Sequence, residues 1–311
     1  MEHSQLDIRN LPLLQRPTGK VRVVLDSDAF NEIDDQYALS YALSVPEKLE
    51  VEAIYAAPFF NRLSASPADG MEKSYQEILR LIPLLHREDL MDRIYRGSTD
   101  YLKDEHTPQD SPAARDLVRR AMEMPEGERL YVVAIGAITN VASALIMEPA
   151  IRDKIILVWL GGHGYQWPDT LEFNLRQDIA AARVVFGCGA PMVQIPCKGV
   201  TSHLRTTEPE LREHMLGKSE IGSYLYHITC DILKQFDVKC WSRVIWDLSA
   251  MMWLAGPKDC FIEHFDHSPV VSYDGFYCVD KSRHLIKIID YMERDLIFNE
   301  FFSVLAAKGK E

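Results

Sequence analysis

The sequence is short of basic residues, of paired cysteines and of long apolar runs, and each shortage removes a class of function. Lys and Arg number 34 against 46 Asp and Glu, giving a formal charge of −12 and a pI near 5.3. Nucleic acids and anionic membranes bind basic faces, so neither is expected as a partner. The six cysteines, Cys188, Cys197, Cys230, Cys240, Cys260 and Cys278, contain no Cys-x-x-Cys spacing. That excludes a zinc knuckle and a dithiol redox motif, and the six read as reduced thiols, mostly in the core. No stretch reaches the ~18 apolar residues of a membrane span, and the opening MEHSQLDIRNLPLLQRPTGK has no apolar signal segment, so a cytoplasmic location is expected. Repeats, linkers and low-complexity segments are also missing. What remains, 311 residues with 47% hydrophobic and 26% charged, suffices for one large α/β domain over residues 21–311, preceded by a polar surface arm over residues 1–20.

What is present in excess is acid in one place. In Val21–Tyr37, VRVVLDSDAFNEIDDQY, four aspartates fall within ten residues. Val21, Val23, Val24 and Leu25 read as a buried strand with Asp26 and Asp28 at its carboxyl end, and a helix is expected from Ile33 onward. Ligands of open α/β sheets bind at that edge. Crowded carboxylates repel each other and resist losing water, and a hard cation is the simplest compensation. Period two puts Asp26 and Asp28 on one side of the strand. Asp34 and Asp35, about 100° apart around a helix, are expected to point differently, one to a metal and one to a substrate hydroxyl. The bland alternative is a solvated loop with Asp34 as a helix N-cap.

The same order recurs down the chain. Val51–Tyr55 reads as a strand, followed by the loop AAPFFNRLSASPADG and a helix from about Met71 to Leu81. A short strand lies in 93–112, a helix runs from Ala113 to Met124, and Leu130–Ile135 is the apolar run of a central parallel strand. Gly136-Ala137-Ile138-Thr139-Asn140 opens the next helix. Ile155–Leu160 is a further buried strand ending in Gly161-Gly162, where the backbone can turn sharply. Met192–Ile195 is the next strand, with Thr201 placed to line the site beyond it. Residues 207–243 are helical by pattern, and Val244–Ala250 begins an apolar helix with the single acid Asp247. Strands around 269–273 and 285–289 and a helix near 295–307 complete the domain.

Asp26-Ser27-Asp28-Ala29-Phe30-Asn31-Glu32-Ile33-Asp34-Asp35 resembles the signature of the nucleoside hydrolase family, Asp-Thr-Asp-Pro-Gly-x-Asp-Asp after a strand. It departs by two extra residues between Asp28 and Asp34 and by the missing Pro-Gly. Glu172-Phe173-Asn174 with Asp178 is similar to the family's Glu-Phe-Asn-(x)3-Asp, Gly136–Asn140 to its Gly-Pro-Leu-Thr-Asn turn, and Asp247 to its last aspartate, although Trp246 stands where the family has His. His106 is followed by Thr107, where members often carry His-Gly. The resemblance spans roughly residues 20–307. It implies a mostly parallel open sheet with helices on both faces, a homodimer or homotetramer, one Ca2+, and hydrolysis of the N-glycosidic bond of a ribonucleoside.

Residue by residue, the resemblance implies Asp28, Asp35, Asp247 and the Ile135 carbonyl around the metal, with Asp28 as general base. It assigns Asp34, Asn61, Glu172 and Asn174 to ribose hydroxyls, with Asp26 orienting its neighbours. An indole is no acid near neutral pH, so Trp246 is expected to stack or pack, leaving base departure to stacking by Trp246 or Trp167 or to an acid such as His163, Tyr165 or His203. Two other classes fit less of the sequence. Haloacid dehalogenase-like phosphatases share Asp-x-Asp after a strand but want Thr or Val where Phe30 stands. A non-catalytic nucleoside- or sugar-binding protein on the same fold would explain Trp246 and the altered first loop.

Overall fold

Val21–Ser27 forms strand β1 in the computed structural model, which describes residues 10–234 and 240–309. Its side chains alternate between two buried apolar clusters, Val23 and Leu25 in one and Val24 in the other, as the period of a strand requires. Burial on both faces explains why the run is continuously apolar. β2 (Leu49–Ala56), β3 (Ile94–Arg96), β4 (Leu130–Ala134), β5 (Ile155–Leu160) and β6 (Met192–Ile195) follow the expected positions closely.

The eight-stranded sheet runs β3, β2, β1, β4, β5, β6, then Leu285–Met292 and Phe261–His267. All neighbours are parallel except the final pair. Helices Asp34–Ser44, Pro67–Leu84, Leu248–Ala255 and Arg294–Ala307 cover one face, and Pro112–Met122, Thr139–Met147 and Ile179–Gly187 the other. This is the expected single α/β domain with helices on both faces. The chain builds outward from β1 through β2 to β3, then crosses back to place β4 on the other flank of β1. Loops leaving β1 and β4 therefore diverge, and the crevice between them is where such sheets bind ligands.

Some elements differ from the sequence reading. The helix expected from Met71 starts at Pro67, because Ser66 caps it by accepting from the Asp69 amide at 3.2 Å and Pro67 suits the first turn. It also runs through Pro83 to Leu84, a proline tolerated this close to the end. Phe261–His267 is an edge strand that the pattern hides, since it carries Glu263, His264, Asp266 and His267 on a largely solvated edge. The stretch 207–243 holds helices Glu208–His214 and Glu220–Leu233, while Arg243–Val244 pairs with Arg205–Thr206 as a short antiparallel ladder; 235–239 lie outside the described residues. The apolar helix starts at Leu248, not Val244.

Of the segment before β1, residues 1–9 lie outside the described residues. Leu14 is buried, and the Arg16 guanidinium donates to the carbonyls of Trp253 (2.7 Å), Pro257 (2.7 Å) and Met252 (2.9 Å), closing the C-terminus of the Leu248–Ala255 helix. Among the described residues no helix is long and apolar enough to cross a membrane. All six cysteines are free thiols.

Candidate active site

The carboxyl ends of the parallel strands form the floor of a cavity of about 500 Å3. Asp28 reaches it from β1, Ile135 from β4, Leu160 from β5 and Cys197 from the turn after β6. Asp34 and Asp35 enter from the first turn of the following helix, and Asp247 from the position before Leu248–Ala255. Gly136 lets the backbone come close here: a Cβ on it would stand 3.1 Å from the Asp28 amide and 3.2 Å from the Asp28 Cβ, tighter than ordinary contact. At Gly162 the backbone is left-handed, with φ +77°, and a Cβ would lie 2.0 Å from the Tyr277 hydroxyl.

Four aspartates are buried together. Asp28, Asp35, Asp34 and Asp247 are at most 3% exposed, far below what unpaired carboxylates tolerate. One carboxylate oxygen from each of Asp34, Asp35 and Asp247 falls within 4.8 Å of the others, a spacing that can hold a metal ion. Asp28 is outside that tight set, and the charges of Asp35 and Asp34 nearby add to the effect of its burial. Asp34 and Asp35 thus converge on Asp247, where the 100° argument expected them to part. The first turn of the helix faces Asp247, and both carboxyls reach it.

Burial is the main cause that pushes these groups up. Asp34 and Asp35 are raised to about 6; mutual repulsion adds to burial at Asp34, while hydrogen bonds from Ser27 and Asp247 hold Asp35 down. Asp28 and Asp247 are raised well above the usual carboxylate range by burial and by the facing aspartates. Ser27 donates to Asp35 at 2.6 Å, but Asp28 Oδ2 and Asp34 Oδ1 have no hydrogen-bond partner. Buried, unpartnered anionic oxygens are what a hard cation would satisfy, so the donor set fits one.

Asn61, Glu172, Asn174 and Trp246 line the same cavity, whereas Trp167, the other ring expected to stack on the base, does not. Glu172 caps the short helix Phe173–Gln177 and accepts from the amides of Asn174 (2.8 Å), Leu175 (3.0 Å) and Gly162 (3.0 Å), fixing the loop after β5. Burial still raises it. Asn174 Nδ2 donates to the Ile135 carbonyl at 3.0 Å and the Leu160 carbonyl at 3.1 Å, leaving the Ile135 oxygen its second lone pair. Asn61 Nδ2 donates to Asn31 at 2.6 Å and its Oδ1 accepts from the Leu63 amide at 2.8 Å, so it also shapes its own loop. Trp246 is half-buried: it packs on the core cluster and also lines the cavity.

Of the alternative acids, His163 alone lines the cavity. Its Nδ1 accepts from the Lys198 amide at 3.4 Å, and burial, followed by the Lys198 cation, lowers it to about 4. It is therefore neutral at pH 7. Tyr165 stacks on Tyr277 at 4.5 Å and bonds Gln194, and His203 stacks on Tyr291 at 4.9 Å and bonds the Met292 carbonyl, both away from the cavity. Thr201 hydroxyl donates to the Pro196 and Cys197 carbonyls beneath the site instead of lining it.

Two supporting groups escaped the sequence reading. Asn140 is a hub: its Nδ2 donates to Asp26 at 2.7 Å while its Oδ1 accepts from the Ser98 amide at 2.7 Å and hydroxyl at 2.8 Å, tying the ends of β1 and β3. Asp26 is pushed up to about 7 by burial, with Asn140 opposing. Arg243, on the short ladder, pairs with Glu32 and tempers the rise at Asp34. Only the Thr-Asn at a helix start hinted at the first; the second, 211 residues away in sequence, left no local signal.

The fold has known counterparts. Pyrimidine-specific ribonucleoside hydrolase RihA of Escherichia coli is 29% identical over 196 residues, which cover 55% of this chain and 58% of that protein. A plant nucleoside hydrolase structure overlays with TM-score 0.72 at 20% identity, covering 94% of this chain and 100% of its own. A purine-preferring ribonucleoside hydrolase from Gardnerella vaginalis overlays with TM-score 0.74 at 21% identity, over 93% and 99% of the two chains. With the fold shared over nearly the whole chain and residues 23–285 matching the family model of the inosine-uridine preferring nucleoside hydrolases, this chain belongs to that family.

Proposed function

We propose that this protein hydrolyses the N-glycosidic bond of a ribonucleoside or related ribosyl compound, with calcium as its cation, giving free base and ribose. The observation that carries the reading is the buried aspartate cluster at the sheet's switch point, with Asp28 Oδ2 and Asp34 Oδ1 unpartnered. Carboxylate and carbonyl oxygens in a loose shell suit calcium better than zinc or magnesium. Asp28, Asp35, Asp247 and the Ile135 carbonyl would hold the ion, with Asp34 within reach. When bound, it supplies positive charge that acidifies a neighbouring water and attracts the sugar diol.

The chain's own residues do the rest. Asp28, kept ionised by the cation beside it, takes the proton of the attacking water at its free Oδ2. The water oxygen joins C1′ as the C1′–N bond breaks, and the electron pair of that bond leaves with the base. The base nitrogen takes a proton from solvent, and Asp28 returns its proton to solvent. The fixed carboxylates favour the positive, oxocarbenium-like sugar between these states. Asp34, Asn61, Glu172 and Asn174 hold ribose hydroxyls; Asn174, with its Nδ2 engaged, does so through its Oδ1. Incubation with mixed ribonucleosides and with p-nitrophenyl phosphate tests the reading: free base and ribose are expected, free phosphate would assign a phosphatase, and neither product would leave a binding protein.

Trp246, which lines the cavity, supports the base by stacking. Trp246→Ala should raise KM about 3- to 10-fold, the worth of one aromatic stacking contact, and lower the melting temperature because the ring also packs on the core. Trp246→Phe should retain most of both. Steady-state kinetics beside thermal denaturation checks this, and an alanine variant altered in stability alone would remove the ring from the site. A homodimer or homotetramer in the cytoplasm completes the proposal, the assembly resting on the family resemblance and the location on six free thiols.

A further inference from the structure

Three cations line the acid-floored cavity without an acid of their own. Arg62 follows the loop after β2, Arg176 sits one turn past Glu172, and Lys198 lies in the turn after β6. All three are exposed, and among the described residues none makes an ion pair or donates a side-chain hydrogen bond. In a chain with 46 acids to 34 bases this is unusual. Other arginines find carboxylates readily: Arg22 pairs with Glu52, Arg96 with Glu72, Arg183 with Glu105 and Arg294 with Glu210.

Two of the cations are held in place without being neutralised. Arg176 lies 5.3 Å from the Phe173 ring centre and Lys198 5.9 Å from that of Trp167, contacts that orient a cation but leave its charge available. Loops carrying them are tied together. The Gly164 amide donates to the Lys198 carbonyl at 2.9 Å, and the Phe60 amide donates to Gln177 Oε1 at 2.8 Å, joining the Arg62 loop to the Arg176 helix. His163, which accepts from the Lys198 amide at 3.4 Å, lines the cavity together with Lys198 and Arg176.

Position along the substrate follows from the hydrolysis reading, on which this step rests. A nucleoside ribose has free hydroxyls on C2′, C3′ and C5′. With the C2′ and C3′ pair at the aspartate cluster, C5′ is left for the Glu172–Asn174 end, beside Arg176 and Lys198. Glu172 would not repel an anion there as a bare carboxylate would, because three amides share its charge. We propose that the substrate is phosphorylated on its 5′ oxygen, a nucleoside 5′-monophosphate, with Arg176 and Lys198 binding the phosphate and Arg62 adding charge at the rim. Guanidinium and ammonium donors are the usual partners of that group. Water adds to C1′, the C1′–N bond breaks and the base nitrogen ends protonated. The phosphate ester is untouched, so the products are free base and ribose 5-phosphate.

The test compares kcat/KM for uridine and inosine with that for their 5′-monophosphates, following base release by absorbance and the sugar product by mass spectrometry. The monophosphates should be preferred at low salt by about tenfold or more, the worth of one charge-assisted contact, with the preference shrinking as salt rises. Arg176→Gln with Lys198→Gln should lower the monophosphate-to-nucleoside ratio at least tenfold, and Arg176→Lys should keep part of it. Both side chains are exposed, and circular dichroism checks that the variants fold. Nucleosides preferred by wild type, with a ratio that the double variant does not move, would overturn the phosphate assignment and leave hydrolysis standing. Base released from neither compound would overturn both.

Discussion

Asp28→Asn should lower ribonucleoside turnover about 10²- to 10⁴-fold, the usual consequence of removing a general base. The amide is nearly isosteric, so the buried position refills, but it has no lone pair that can take a proton from water at neutral pH. Asp28 lies outside the tight set of Asp34, Asp35 and Asp247, and the variant should therefore keep most of its affinity for a ribose-like inhibitor. Bound metal measured beside kcat separates the two contributions. Full occupancy with near-normal turnover would place the base elsewhere.

Asp247→Asn should abolish cation binding and weaken the protein's response to pH. In chelator, the folded-state pKa values of Asp34, Asp35, Asp28 and Asp247 are all raised above those of the unfolded chain. The folded state then holds protons that the unfolded chain releases near pH 4, so the cluster's contribution is full below that pH and is lost as pH climbs through about 6, the value of Asp34 and Asp35, and beyond. Chelated wild type should melt lower at pH 8 than at pH 5.5. Calcium should restore it, by about 2.7 kcal/mol at a hundred times its dissociation constant. Chelated Asp247→Asn, with one like charge fewer, should be more stable than chelated wild type at pH 8 and gain nothing from calcium. Differential scanning fluorimetry across pH, with and without calcium, reads all of these.

Strand positions were legible because burial on both faces imposes continuous apolar runs, and β5 and β6 fall on the residues the sequence marks. Phe261–His267 was not, since an edge strand needs no apolar face and this one carries four charged or titratable residues in a row of seven. At the site, each acid announces itself because carboxylates have no reason to follow a buried strand. Their grouping was less legible. The convergence of Asp34 and Asp35 on Asp247 depends on where the helix begins, which the two extra residues after Asp28 obscure. The Glu172 cap and the Asn174 bridge to Ile135 and Leu160 show that residues resembling substrate ligands also build the loops that carry them. Arg62, Arg176 and Lys198 carry no signal in the sequence, because a lone cation in a loop becomes informative only once its missing partner is visible.

The central claim is that the aspartate cluster, with one calcium ion, hydrolyses an N-glycosidic bond. Metal-stripped protein titrated with calcium, with bound metal measured by elemental analysis and base release followed in parallel on a nucleoside and its 5′-monophosphate, tests it most directly. Activity should rise in proportion to bound calcium, saturate at one ion per chain, and yield base and sugar in equal amounts. Full activity in stripped protein, or one bound ion per chain with no base released, would contradict it.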